Sequence, residues 1–180
     1  AWIPPNAIHK TNSHSDMIKL MIIFFEVSKI DLFYHEVNIF SVPPILKEMI
    51  KYAEPGMSTK ELDNFGAKIL SAFGAQSAPF LTYGFPGCAC ISVDNEFCHG
   101  IPSEKRILKT GDLINIDVSA ELNGFWADNG GSFILGEDVN QHQKLVDASK
   151  EILRKAISNI KGGVKIADIG FLMETEAKKR

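Results

Sequence analysis

The sequence predicts an α+β fold, and three observations carry that prediction. Two amphipathic helices come first, from Pro44 to Gly74. A run of strands containing an Asn-Gly hairpin follows, and the chain then returns to helix from about Asn140 to Arg180. Helices grouped on either side of an antiparallel sheet define that class.

Each element has its own warrant. Ile45, Leu46, Met49, Ile50 and Ala53 recur at helical spacing and stop at "EPG". "STKE", Ser58 to Glu61, is a capping box, with Ser at the N-cap and Glu three residues later. The helix after it turns Leu62, Phe65, Ile69, Leu70 and Phe73 inward and ends at Gly74. "SAPFLTYGFPGC" is rich in Pro and Gly and predicts loops. "ACISV" and "EFCHGI" predict short strands joined through Asp94 and Asn95. "LINIDVSAEL" and "GFWADNGGSFIL" predict a hairpin closed by Asn123-Gly124, a pair that suits a type I′ turn. A long helix is expected over about 140–160, ending at Gly162-Gly163. A last one should start near Asp168, an acceptable N-cap. Gly56 and Gly163 each lie six residues before an apolar helix position, Leu62 and Ile169, which suggests a weak internal repeat.

The bulk properties mainly exclude. The 180 residues suffice for one domain with a sizeable core. A net charge of −3 gives no reason to expect nucleic acid or an anionic membrane as partner. The apolar run Leu20 to Phe25 is too short to span a bilayer. Cys88, Cys90 and Cys98 are odd in number and clustered, which argues for a reducing compartment, the cytoplasm. Residues 1–43 show no clear period and are left as an unassigned leader, with the domain proper over 44–180.

The hairpin holds the chemistry. With the Asn-Gly turn, Leu122 faces Phe125, Ser119 faces Asp128, and Asp117 becomes the diagonal neighbour of Asp128 on one face. Ile114, Ile116, Val118, Ala120, Phe125 and Ala127 form the other face, which suits a core. Asp is poorly suited to strands, and two carboxylates that close repel unless a proton or a cation sits between them. The bland alternative is a solvated sheet face. His99 in "CHGIPS" suits metal ligation, acid–base work or substrate hydrogen bonding, or is simply structural. The cysteines space poorly for zinc, since Cys-x-Cys puts both sulfurs on one strand face, and they pack well as small apolar residues.

"YGFPGCACISVDNEFCHGIPS" followed by "LKTGDLINIDVSAELNGFWADNGGSF" resembles the type I methionine aminopeptidases over about residues 45–180. The resemblance implies the pita-bread fold, two related αβ halves, of which this chain carries the first half and the opening helices of the second. It implies dinuclear-metal hydrolysis, with two divalent ions (Co, Mn, Fe or Zn), releasing the N-terminal Met of nascent peptides. Asp117 then matches a metal ligand and Asp128 the carboxylate that bridges both metals. His99 matches the histidine near the scissile amide, and Phe85 and Cys90 match the walls of the methionine slot. Ser119 stands where the family often has Thr, and Asn129 where many members have Thr. The family's remaining ligands, one His and two Glu, and a second substrate-binding His come from the second half. His142 lies too early to supply one. The expectation is therefore an incomplete enzyme with exposed apolar surface suited to self-association. Two alternatives are a non-catalytic pita-bread protein that binds partners and a metal-dependent nucleotide or nucleic-acid hydrolase. No phosphate loop or basic groove supports the latter.

Overall fold

The computed structural model describes residues 42–180. The expectation of a leader over 1–43 lies outside the described residues apart from its last two positions. The chain divides into two compact units. Of the described residues, 42–146 fall in one and 147–180 in the other.

In the first unit, α1 (Val42–Tyr52) and α2 (Thr59–Ala72) precede the strands. Ile45, Leu46 and Met49 on α1 and Leu62 and Leu70 on α2 are buried in one core with Ile91, Val93, Ile114, Ile116 and Val118 of the sheet. The α1–α2 contact is close at one point. A Cβ on Gly66 would come within 2.6 Å of the Met49 sulfur, so a larger residue there forces that flexible side chain aside. Tyr52 of α1 stacks on Phe65 of α2 with ring centroids 3.8 Å apart. The capping box forms as expected. The Ser58 hydroxyl accepts from the Glu61 N–H, and the Glu61 carboxylate accepts from the Ser58 N–H.

The sheet has β3 (Leu113–Leu122) at its centre. β4 (Phe125–Ile134) pairs with it antiparallel along its whole length. β2 (Cys90–Val93) and the two-residue β1 (Gln76–Ser77) pair antiparallel with successive stretches of β3, so they share its other edge. The hairpin register is the expected one: Leu122 faces Phe125, Ser119 faces Asp128, and Asp117 faces Gly130. Asn123 and Gly124 both have positive φ, 55° and 85°, as a type I′ turn requires. Along β3, Ile114, Ile116, Val118 and Ala120 are buried, while the residues between them are half-buried. The second face is therefore open enough to hold a site.

Several expectations are corrected. "SAPFLTYGFPGC" is not all loop. Ser77 caps a short helix, α3 (Ala78–Tyr83), with a proline in its first turn, and Gly84 ends it in the left-handed region. "EFCHGI" is not a strand. Asp94 and His99 both take positive φ, 56° and 55°, which extended pairing does not allow. The segment meets β2 through separate bonds rather than a ladder, among them the Ile91 N–H to the Gly100 carbonyl at 2.9 Å and the Glu96 N–H to the Val93 carbonyl at 3.2 Å. Phe73 and Phe125 are exposed rather than core, because each stands at the end of its element, where nothing covers it.

In the second unit, the expected helices appear as α4 (Gln143–Ser158, reaching in from the first unit) and α5 (Ile166–Lys178). Asp168 is not the N-cap of α5. That position is Lys165, which makes no side-chain capping bond. Glu176 of α5 is buried and bound by Lys155 of α4 at 2.6 Å and by Lys179 at 2.7 Å. These hydrogen bonds, Lys155 first, hold its carboxyl down at about 2. The glycine spacing seen in the sequence has a structural counterpart. Gly56 (φ +92°) and Gly163 (φ +85°) each turn the chain three residues before a helix begins.

Candidate active site

Register builds the site. Cys90 lies directly opposite Asp117 in the β2–β3 ladder, and Ser119 opposite Asp128 in the β3–β4 ladder. Paired residues in an antiparallel ladder point to the same face. Cys90, Asp117, Ser119 and Asp128 therefore share the face away from the core.

The two aspartates interact. Ser119 Oγ donates to Asp128 Oδ1 at 2.7 Å. The Asp117 carboxyl stands within hydrogen-bonding reach of Asp128. Asp117 Oδ1 is closed off from solvent and has no hydrogen-bond partner among the described residues. Burial first, then the Asp128 charge and the contact with it, push the Asp117 carboxyl well above the usual carboxylate range. Two acceptors in contact and one orphaned oxygen need a proton or a cation between them. The solvated-face alternative does not describe Asp117.

The surroundings are apolar. Burial and then the Asp117 charge push the Cys90 thiol up, so it stays protonated and acts as a small apolar wall. Burial and then the Asp117 charge push the Cys98 thiol up as well. Phe85 is buried and meets Tyr83 edge-on, with ring centroids 6.3 Å apart. The Tyr83 phenol is pushed up by burial and then by Cys90, Asp117 and Asp128. Tyr83 thus meets Phe85 at the ring edge and feels the charge of the aspartate pair. Tyr83 had no signal of its own in the sequence. His99 is half-buried between Cys98 and Gly100, and Gly100 fixes its position along the chain. The Gly100 N–H donates to Ser92 Oγ at 3.1 Å. A Cβ on Gly100 would fall 2.1 Å from the Ile91 carbonyl oxygen, so only glycine allows this approach.

Among the described residues no group of three or more His, Cys, Asp or Glu side chains could hold a metal ion. The orphaned oxygen of Asp117 suits one side of a cation, but two carboxylates do not complete a site. The three cysteines are free and form no zinc centre among the described residues.

Residues 44–180 match the model of metallopeptidase family M24, and the chain belongs to that family. It is 47% identical over 134 residues to methionine aminopeptidase 2 of Bacillus subtilis, covering 74% of this chain and 54% of that protein. It is 38% identical to methionine aminopeptidase A of Synechocystis, covering 74% and 53%. Among solved structures, the methionine aminopeptidase of Thermotoga maritima superposes with a TM-score of 0.73 at 27% identity, covering 77% of this chain and 56% of that one. The prolidase of Pyrococcus horikoshii, at 17% identity and a TM-score of 0.65, shares the fold over 92% of this chain and 46% of its own. The fold is thus the pita-bread α+β fold, and the chain spans about half the length of the curated relatives it matches.

Proposed function

We propose that this chain contributes the first half of a methionine aminopeptidase active site. The observation that carries the reading is the Asp117–Asp128 pair with its orphaned oxygen, with Cys90 directly opposite Asp117. In this reading Asp117 and Asp128 are two ligands of a divalent metal pair, drawn from Co, Mn, Fe or Zn, with the remaining donors outside the described residues. Bound there, such a pair would supply Lewis-acid activation of water for amide hydrolysis. The chain's own residues bind and orient the substrate. Ser119 fixes the Asp128 carboxylate. Phe85 and Cys90 make a soft apolar slot for a thioether side chain, and His99 hydrogen-bonds the substrate near the scissile amide. The substrate is the N-terminal Met of nascent peptides, and the compartment is the cytoplasm. No described helix is long and apolar enough to cross a membrane, in keeping with that setting. Exposed Phe73, Phe80, Trp126 and Phe171 offer surface for self-association.

The test is a Met-Ala-Ser peptide assay with cobalt or manganese. It compares this chain with a form extended by the second half of the Bacillus subtilis relative. Turnover is expected from the extended form, is lost in its D117N and D128N variants, and is absent from the present chain, whose described residues supply too few ligands. A partner-binding protein would give no turnover in either form, and a nucleotide hydrolase would instead release phosphate from nucleotides.

A further inference from the structure

Among the described residues the most buried aspartate is not in the hairpin. Asp63 on α2 is 1% exposed. Its Oδ1 accepts from two consecutive backbone N–H groups, those of Cys88 at 2.7 Å and Ala89 at 3.0 Å. Its Oδ2 is bound by Lys60 at 2.8 Å. Opposite Asp63, the Cys88 carbonyl accepts from the Ser77 hydroxyl at 2.9 Å. The Cys88–Ala89 stretch is therefore gripped from two sides, by α2 through Asp63 and by the start of α3 through Ser77. The next residue is Cys90, which faces Asp117. The packing leaves no slack. A Cβ on Gly87 would fall 2.9 Å from Pro102 and 3.2 Å from Asp63 Oδ1. The first turn of α2 also ties down the loop beyond His99. The Ser103 N–H donates to Thr59 Oγ1 at 2.9 Å, and the Thr59 N–H to the Arg106 carbonyl at 2.9 Å.

We propose that Asp63 is a positioning residue for the site. Its carboxylate clamps the Cys88–Ala89 backbone and so sets where Cys90 stands against Asp117. The functional weight of that position rests on reading Cys90 as a wall of the methionine slot. A buried carboxylate bonded by two N–H groups and an ammonium is satisfied, so the clamp does not draw the loop toward competing partners. Its removal strands two buried N–H groups, which drives the loop to open locally.

The test uses the present chain with no metal or substrate. Iodoacetamide labelling at pH 8 is mapped by peptide, and amide exchange is followed at Cys88 and Ala89. The proteins are wild type, Asp63→Ala, Asp63→Asn and, as control, Leu70→Ala, which weakens the same helix through the core rather than the loop. In Asp63→Ala, Cys90 labelling and the two amides should accelerate at least about tenfold relative to Cys98, as loss of a buried acceptor implies. Asp63→Asn keeps an acceptor and should fall between Asp63→Ala and wild type. If Asp63→Ala does not fold, selective acceleration of the Cys88 and Ala89 amides in Asp63→Asn, with β3–β4 amides unchanged, carries the same result. The proposal is overturned if Leu70→Ala reproduces the pattern, or if the Asp63 variants that fold leave Cys90 and those amides at wild-type rates. Methionine and turnover do not enter this readout. A failed peptide assay leaves it intact, and a failed labelling result removes only the role of Asp63.

Discussion

Cys90 and Asp117 are direct partners across the β2–β3 ladder, a thiol facing a carboxylate on the side of the sheet away from the core. The pairing keeps the thiol protonated, because both burial and the neighbouring charge disfavour a thiolate. Cys88 is pushed up to about 12 by burial and then by Asp63. Thiol reagents attack thiolates. Under native conditions at pH 8, alkylation should therefore reach half-buried Cys98 first, with Cys88 and Cys90 modified only on unfolding. Peptide mapping by mass spectrometry decides this, and native labelling of Cys90 as fast as Cys98 would count against the site as described.

The aspartate pair makes stability depend on pH in an unusual direction. The Asp117 carboxyl is raised in the folded chain above its unfolded value, which is about 3.9 for an unperturbed Asp. Its contribution is fully present below that unfolded value and is lost as pH rises through the raised folded value. Asp117→Asn cannot ionise and escapes the loss. In the presence of EDTA, the variant should melt above wild type at pH 7–8, and the gap should close toward pH 4. A variant that melts below wild type at pH 8 would mean that the ionised pair is not strained.

Glu176 gives the opposite slope. Its carboxyl is held at about 2 by Lys155 and then Lys179, so its contribution is present above the unfolded glutamate value and is lost as pH falls toward 2. Glu176→Gln should loosen α5 at neutral pH and flatten the acid limb between about pH 4.3 and 2. Amide exchange along Ile166–Lys178 reads this directly. Equal acid sensitivity of α5 in variant and wild type would show the lysine contacts to be idle.

The hairpin was legible because two independent local rules agree on it. Asn-Gly fixes the turn, and the period of two then fixes which residues share a face. Ser58 and Glu61 were legible for a similar reason, since a capping box is complete within four residues. α3 was hidden because its Pro79 and the Gly84 beyond it punctuate loops as often as they open and close short helices. β1 has two residues and exists only through β3. Asp63 looked like any polar position between Leu62 and Phe65. Its burial depends on two backbone N–H groups that arrive from 25 and 26 residues away, which no local pattern announces.

The segment "EFCHGI" has a strand's pattern but is a loop. Apolar residues alternate there, yet the chain meets β2 through separate bonds rather than a ladder. The Gly100 position is closed on all counts: the nearest atoms to an added Cβ are the Ile91 oxygen at 2.1 Å, the Ile91 carbonyl carbon at 2.6 Å and the Ser92 Cα at 2.8 Å. All three are backbone of a buried strand and cannot swing aside. Gly100→Ala must therefore push the Cys98–Gly100 segment off β2 and break the Ile91–Gly100 bond. The expected loss is about 2–4 kcal/mol, the range for overpacking combined with a lost buried hydrogen bond. Gly162→Ala is the matched control, since nothing lies within 4 Å of its added Cβ. It should stay within roughly 1 kcal/mol of wild type and lean toward stabilising. Urea denaturation compares the two. A near-neutral Gly100→Ala would mean that the loop bearing His99 is not seated on β2.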